Sequence, residues 1–327
     1  MTTGERAPID LRLIMICAGL GVAAVAFGLL PWLLTGARLP LQNLWTTPVV
    51  APDGVTAAPD AMPVSLLPFS QYALTLQAAL LVTGSAVAGL VVRATGVRHR
   101  RGTVIALLVG TVGAQLVALI QSTTTVRAGL PDSLASVVYL AAVIAAAAIG
   151  IAIGVVVLLL IARAPRGAAI VGLSVGAVAV VEWGHALVYP PFSLITEAVP
   201  AAEAVLRWSP AVLVAAAVVW AGASTRGRAV GAAVSLLALW IGPAAITAVS
   251  SAAGTRVYAS YPFEMVDMAG QVFTSALVST AGWSPVVLAA VLAAAGLVAR
   301  RPVLAWLRGR TGRTGRTGRT SAPSATP

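Results

Sequence analysis

Residues 134–167 read LASVVYLAAVIAAAAIGIAIGVVVLLLIARAPRG. From Leu134 to Ile161 there is no charged residue, and then Arg163 and Arg166 arrive together. A bilayer core about 30 Å thick needs roughly 20 apolar residues of helix to cross it. This stretch is long enough to cross and to tilt or project. It also ends on cations, as a span does on the cytoplasmic side.

The pattern recurs along the chain of 327 residues, which is 59% hydrophobic and only 9% charged, far from the composition of soluble domains. Mean hydropathy is +0.94. Apolar runs predict eight spans, at 12–34, 72–92, 103–121, 134–161, 168–188, 205–223, 229–250 and 283–299. The expected fold is therefore all-α, a polytopic membrane protein of eight transmembrane helices arranged as four hairpins. The first run is too long for the apolar core of a signal peptide, and no small-residue cleavage site follows it, so it reads as a retained span.

Arginines set the expected orientation. Arg6 and Arg12 precede the first span; Arg93, Arg98, Arg100 and Arg101 follow the second. Arg163 and Arg166 follow the fourth, Arg226 and Arg228 the sixth, and Arg300, Arg301, Arg308 and Arg310 lead the group after the eighth. The other side carries Arg38, Arg127, Arg207 and Arg256, one per loop. The positive-inside rule then puts both termini in the cytoplasm. Asp53, Asp60, Asp132, Glu197, Glu203, Glu264 and Asp267 fall outside, as do most interfacial Tyr and Trp residues. Every basic residue is Arg and the one Asn is Asn43, which points to a GC-rich bacterial source and so to a bacterial cytoplasmic membrane. Cys17 is the single cysteine, so no internal disulfide is possible.

Two outer loops match in order. VYPPFSLITEAVPAAEAVLRWSPAVL and VYASYPFEMVDMAGQVFTSALVSTAGWSPVVL both run Val-Tyr, Pro-Phe, two acids and Trp-Ser-Pro. Hairpins 167–228 and 229–301 are candidate parallel duplicates. The segments 193–206 and 263–278 are expected to be short amphipathic helices on the outer surface or caps over a cavity. Loop 35–71, with six prolines, should be irregular. Pro31 and Pro243 should bend or end their spans, while Pro210 and Pro285 fall in first turns. Small residues at every fourth position mark faces for close helix packing: Gly102, Ala106, Gly110, Ala114 and Ala118, then Ala146, Gly150 and Gly154, then Ala168, Gly172 and Gly176. Residues 1–11 are a cytoplasmic N-terminus. Residues 300–327 form a basic tail, expected to be disordered, whose Arg300, Arg301, Arg308 and Arg310 would contact anionic lipid headgroups.

VVEWGHALVYPP, residues 180–191, holds the one acid inside a span. From Gly167 to Glu182 the helical rise gives about 22 Å, which sets the acid in the outer third of the membrane. His185 lies three residues on, sharing its face. A carboxylate at that depth must point into the bundle or a wet pocket. Three readings follow. The acid fixes helix register by bonding His185, Arg207, Arg256, Gln115 or Gln121. It relays protons or binds a cationic or hydroxyl-bearing ligand. Or it belongs to a metal site, which the scarcity of histidine, with only His99 besides, argues against.

No nucleophile with a base, no zinc-binding helix motif and no phosphate-cradling loop is legible. The sequence therefore implies no cofactor, and no nucleic-acid partner is expected of it. The leading expectation is a permease-like or lipid- and small-molecule-handling protein with a polar site opening outward. The first alternative is an accessory or scaffold subunit of a cell-envelope complex, with a membrane-protein partner or a second copy of itself. The second is an enzyme acting on a lipid-linked substrate through Glu203, Glu264 and Asp267.

Overall fold

The computed structural model describes residues 10–40, 45, 62–100, 102–192, 199–255 and 261–314, with the backbone alone for 98, 262 and 301–314. Nine α-helices occur among these residues. They are α1 (Leu11–Leu34), α2 (Leu74–Thr95), α3 (Thr103–Gly129), α4 (Leu134–Ala162), α5 (Arg166–Val188), α6 (Pro200–Ala221), α7 (Arg226–Gly254), α8 (Pro262–Val278) and α9 (Thr280–Thr314). All but α8 contain a stretch long and apolar enough to cross a membrane, which gives 8 spans. The chain is a multi-pass helical membrane protein.

Local signals explain the helix ends. Asp10 caps α1 by accepting from the Leu13 N–H at 3.2 Å, and Ser133 caps α4 by accepting from Ser136 at 3.2 Å. Gly96 ends α2 at φ 72°, a left-handed position that glycine adopts without a Cβ penalty. α3 runs eight residues past its expected end at 121, because Ser122, Thr123, Thr124 and Thr125 stay helical. Ser122 and Gln121 are held there by the loop described below.

Side-chain contacts gather the arginine-bearing ends on one face. Gly102 sits beside Ile14, Arg93 donates to the Ile161 and Ala164 carbonyls, and Arg93 and Arg166 both approach Trp220. Gly167 abuts Gly227, and Arg300 donates to the Val219 carbonyl at 2.9 Å beside Gly222. All eight spans thus deliver a cationic or neighbouring residue to the same arginine-rich face.

Helices pack in two halves with the same neighbour pattern. In α1–α4, α1 runs along α3 and α2 along α4; in α5–α9, α5 runs along α7 and α6 along α9. The halves meet where α5 packs on α2 and α4. Small residues permit these approaches, since close backbone packing stabilises helix pairs in lipid. A Cβ on Gly28 would come 2.5 Å from the Leu80 carbonyl oxygen and 2.8 Å from Gly84 Cα. Gly110 abuts Ala18, Gly231 abuts Gly167, Gly154 abuts Ser85 and Gly172 abuts Leu160. The expected small-residue faces on α3, α4 and α5 are contact faces. The most enclosed span, however, is α2, which those stripes did not single out.

The described parts of loop 35–71 are irregular but tightly held. Trp32 Nε1 donates to the Ser65 carbonyl at 2.7 Å, and the Leu67 N–H donates to Ser122 Oγ at 2.9 Å. Leu67 and Phe69 are fully buried, plugging the first half at the face opposite the arginines.

Three expectations need correction. Residues 200–206 do not form a separate surface helix; they are the first turns of α6, because Pro200 at its start favours helix entry and nothing breaks the chain before Arg207. Residues 193–198 lie outside the described residues. In consequence Pro210 is inside α6 rather than in its first turn, and Pro285 is likewise past the first turn of α9. α8 is a separate amphipathic helix, but it does not lie flat. Thr255 at the end of α7 reaches Met268, while Trp240, further back on α7, donates to the Leu277 carbonyl at 3.0 Å. α8 therefore runs antiparallel along α7. Finally, α9 continues helically to Thr314, since Val303, Leu304, Ala305, Trp306 and Leu307 extend its helix-forming run beyond Arg300. Residues 315–327 lie outside the described residues.

Candidate functional site

A cavity of about 340 Å³ opens in the second half, near the face opposite the arginines. α5 contributes Glu182 and His185, α6 contributes Glu203, Arg207 and Pro210, α7 contributes Pro243 and Thr247, and α9 contributes Pro285. The merger of residues 200–206 into α6 is what builds it. The added turns carry Glu203 and Arg207 in helical register with the wall, at i and i+4 on one face.

His185 Nε2 lies 3.5 Å from Glu203 Oε2, with both side chains about half exposed. The His185 ring also tilts against Tyr189, at 5.3 Å between ring centres, and the Tyr189 hydroxyl accepts from the Val199 N–H at 2.9 Å. That bond ties the end of α5 to the start of α6. Arg207 lies over its neighbour Trp208 at 5.0 Å. The Glu182 carboxylate receives no hydrogen bond and no ion pair among the described residues. It is a half-buried acid that takes no hydrogen bond in the cavity and has His185 as its electrostatic neighbour.

The prolines add acceptors. A proline inside a helix has no N–H for the carbonyl four residues earlier. Pro210, Pro243 and Pro285 leave the carbonyls of Leu206, Leu239 and Ala281 without their helical donor, and all of these residues line the cavity. Ser209 Oγ supplies a replacement donor to Leu206 at 3.0 Å. Thr247 Oγ1 bends back to the Pro243 carbonyl at 3.0 Å. Two of the three prolines come from the repeated Trp-Ser-Pro, so the repeat places equivalent prolines on α6 and α9 against one space. The site thus combines two carboxylates, an imidazole, a guanidinium and freed backbone acceptors within an apolar wall.

The other sequence candidates lie elsewhere. Gln115 is buried on the face of α3 that meets α2, where its Nε2 donates to the Leu81 carbonyl at 2.9 Å and to Ser85 Oγ at 3.0 Å. Gln121 serves the loop: its Oε1 accepts from the Leu66 N–H at 2.8 Å and its Nε2 donates to the Val64 carbonyl at 3.0 Å. Neither reaches Glu182, because both belong to the first half. Glu264 and Asp267 line a separate shallow groove on α8 with Gln271, whose Nε2 donates to Asp267 Oδ2 at 2.9 Å. They do not join Glu203. Arg256 lies outside the described residues. Arg300 is committed to the end of α6, and the side chains of Arg301, Arg308 and Arg310 are not described.

Of the sequence candidates, Glu182, His185 and Glu203 line this one cavity. Sequence reasoning named Arg207 only as a possible partner and missed Thr247 and the role of the prolines. The doubled Trp-Ser-Pro was the available signal. No set of three metal-ligating side chains gathers among the described residues. Comparison with protein-family models, curated proteins and solved structures finds no match.

Proposed function

We propose that the protein is a permease-like or small-molecule-handling protein of a bacterial cytoplasmic membrane, with both termini in the cytoplasm. Its site is the cavity of Glu182, His185, Glu203 and Arg207, opening outward. The arginine-rich face would be cytoplasmic by the positive-inside rule, which sets the cavity toward the opposite compartment. A single observation carries the reading: Glu182 lines a cavity inside a span and takes no hydrogen bond from any described residue, with His185 acting on it only through space. An acid within a span is costly and marks a solute or proton path when no structural partner accounts for it. The acceptor-rich wall favours a small cationic or hydroxyl-bearing solute. The carboxylate could equally hold a proton that is exchanged during solute movement.

The test is a panel of small amines and polyols added to purified protein in detergent, read by thermal unfolding. A ligand at one hundred times its Kd stabilises the folded state by about 2.7 kcal/mol. A compound that stabilises the wild type and not Glu182→Gln supports the site. Transport or stabilisation that is unchanged in Glu182→Gln refutes it.

A second reading has its own observation. α9 is the least enclosed of the eight spans, and Val287, Val291 and Val298 are exposed along it. An accessory or scaffold subunit would cover that face with a membrane partner or a second copy. Crosslinking from α9 in native membranes discriminates, because a scaffold traps one defined partner.

A further inference from the structure

A second and larger space lies between the two halves. It is an apolar groove of about 810 Å³, walled by α1, α2, α5 and α6. Phe27, Leu90, Leu213 and Trp220 on its rim are 41–45% exposed, so it opens sideways, toward the surface that lipid would cover. Its far end is closed by Phe27 stacked on Trp183, with ring centres 5.0 Å apart, and Trp183 Nε1 donates to the Gly28 carbonyl at 3.0 Å. Along α5 the groove runs from Leu173 to Trp183, about 15 Å of helical rise, room for most of an extended acyl chain.

The near end is cationic. Arg93 and Trp220 line both this groove and an adjoining pocket that holds His99, Arg163 and Arg166. No acidic side chain lines that pocket among the described residues. Arg93 and Arg166 converge on one indole, at 4.9 and 5.7 Å from the Trp220 ring. Two guanidiniums drawn to one ring, with a third lining the same pocket, concentrate positive charge at the mouth of the groove. Arg93 also spends donors on the Ile161 and Ala164 carbonyls, which fixes its head group at the mouth of the groove.

We propose that this groove and its pocket form a binding site for an anionic phospholipid: one acyl chain lies between the halves and the phosphate sits among Arg93, Arg163 and Arg166. Charge complementarity selects the occupant. A neutral lipid would gain nothing from the positive charge of Arg163 and Arg166, and a soluble phosphate would leave the apolar groove unfilled. Basic pockets between spans on the cytoplasmic side recognise acidic headgroups by the same chemistry. The bound lipid would bridge α2, α5 and α6 and so couple the two halves.

The test uses full-length protein in detergent, stripped of lipid and then titrated with phosphatidylglycerol or phosphatidylcholine, with retained lipid read by native mass spectrometry. Phosphatidylglycerol should be retained in preference to phosphatidylcholine. Arg166→Gln, whose guanidinium caps no helix, should weaken that retention about fivefold. Ala216→Phe, at an exposed position in the groove wall, should displace the lipid while the protein stays monodisperse. Equal retention of both lipids, unaffected by either substitution, overturns the proposal. So does glycerol phosphate competing as well as the intact lipid, which would make the pocket a site for a soluble anion.

Discussion

Gly28→Ala tests the packing that holds the first half together. The added Cβ would stand 2.5 Å from the Leu80 carbonyl oxygen and 2.8 Å from Gly84 Cα. Comfortable contact begins near 3.5 Å, so α1 and α2 would have to part by up to about 1 Å. Neither neighbour can swing aside, because both are backbone atoms of a helix. Overpacking of that kind costs about 1–3 kcal/mol. Gly19 on the same helix is the control, since nothing lies within 4 Å of its Cβ position. Gly19→Ala removes a flexible residue from a helix interior and should be neutral, or stabilise by up to about 1 kcal/mol. The two variants should therefore differ by about 1–4 kcal/mol in reversible unfolding in mixed micelles, Gly28→Ala being the weaker. If Gly28→Ala is as stable as Gly19→Ala, the close α1–α2 crossing is wrong.

Two further outcomes separate structural from functional polar groups. Gln115→Leu should lower stability by no more than about 1 kcal/mol, as buried interhelical bonds in membranes average roughly 0.6 kcal/mol, and should leave ligand response intact because Gln115 serves α2 and not the cavity. Arg300→Gln removes a charged donor from the Val219 carbonyl and should cost about 1.5–3 kcal/mol locally, seen as faster amide exchange at the end of α6.

The number of spans and the gathering of arginines were legible because hydropathy and charge act residue by residue. Which face a helix turns to which neighbour was not. Gln115 and Gln121 looked like partners for Glu182 because any polar group in a span needs one, yet their partners came from α2 and the 62–70 segment, far apart in sequence. The segment 193–206 read as a surface helix because it mixes apolar residues with two acids, Glu197 and Glu203. Helical continuity into α6 won, and that continuity is what brings Glu203 to His185. The Trp-Ser-Pro repeat was visible as a motif, but its meaning depended on two prolines from different helices meeting one cavity.

The central claim is a wet cavity at Glu182 that communicates with the face opposite the arginines. A Cys17→Ala background removes the single native thiol, and Glu182→Cys then carries the reporter into the cavity. A membrane-impermeant maleimide added outside intact cells should label that thiol. A thiol labelled only from the cytoplasmic side, or never labelled in folded protein, would contradict the account.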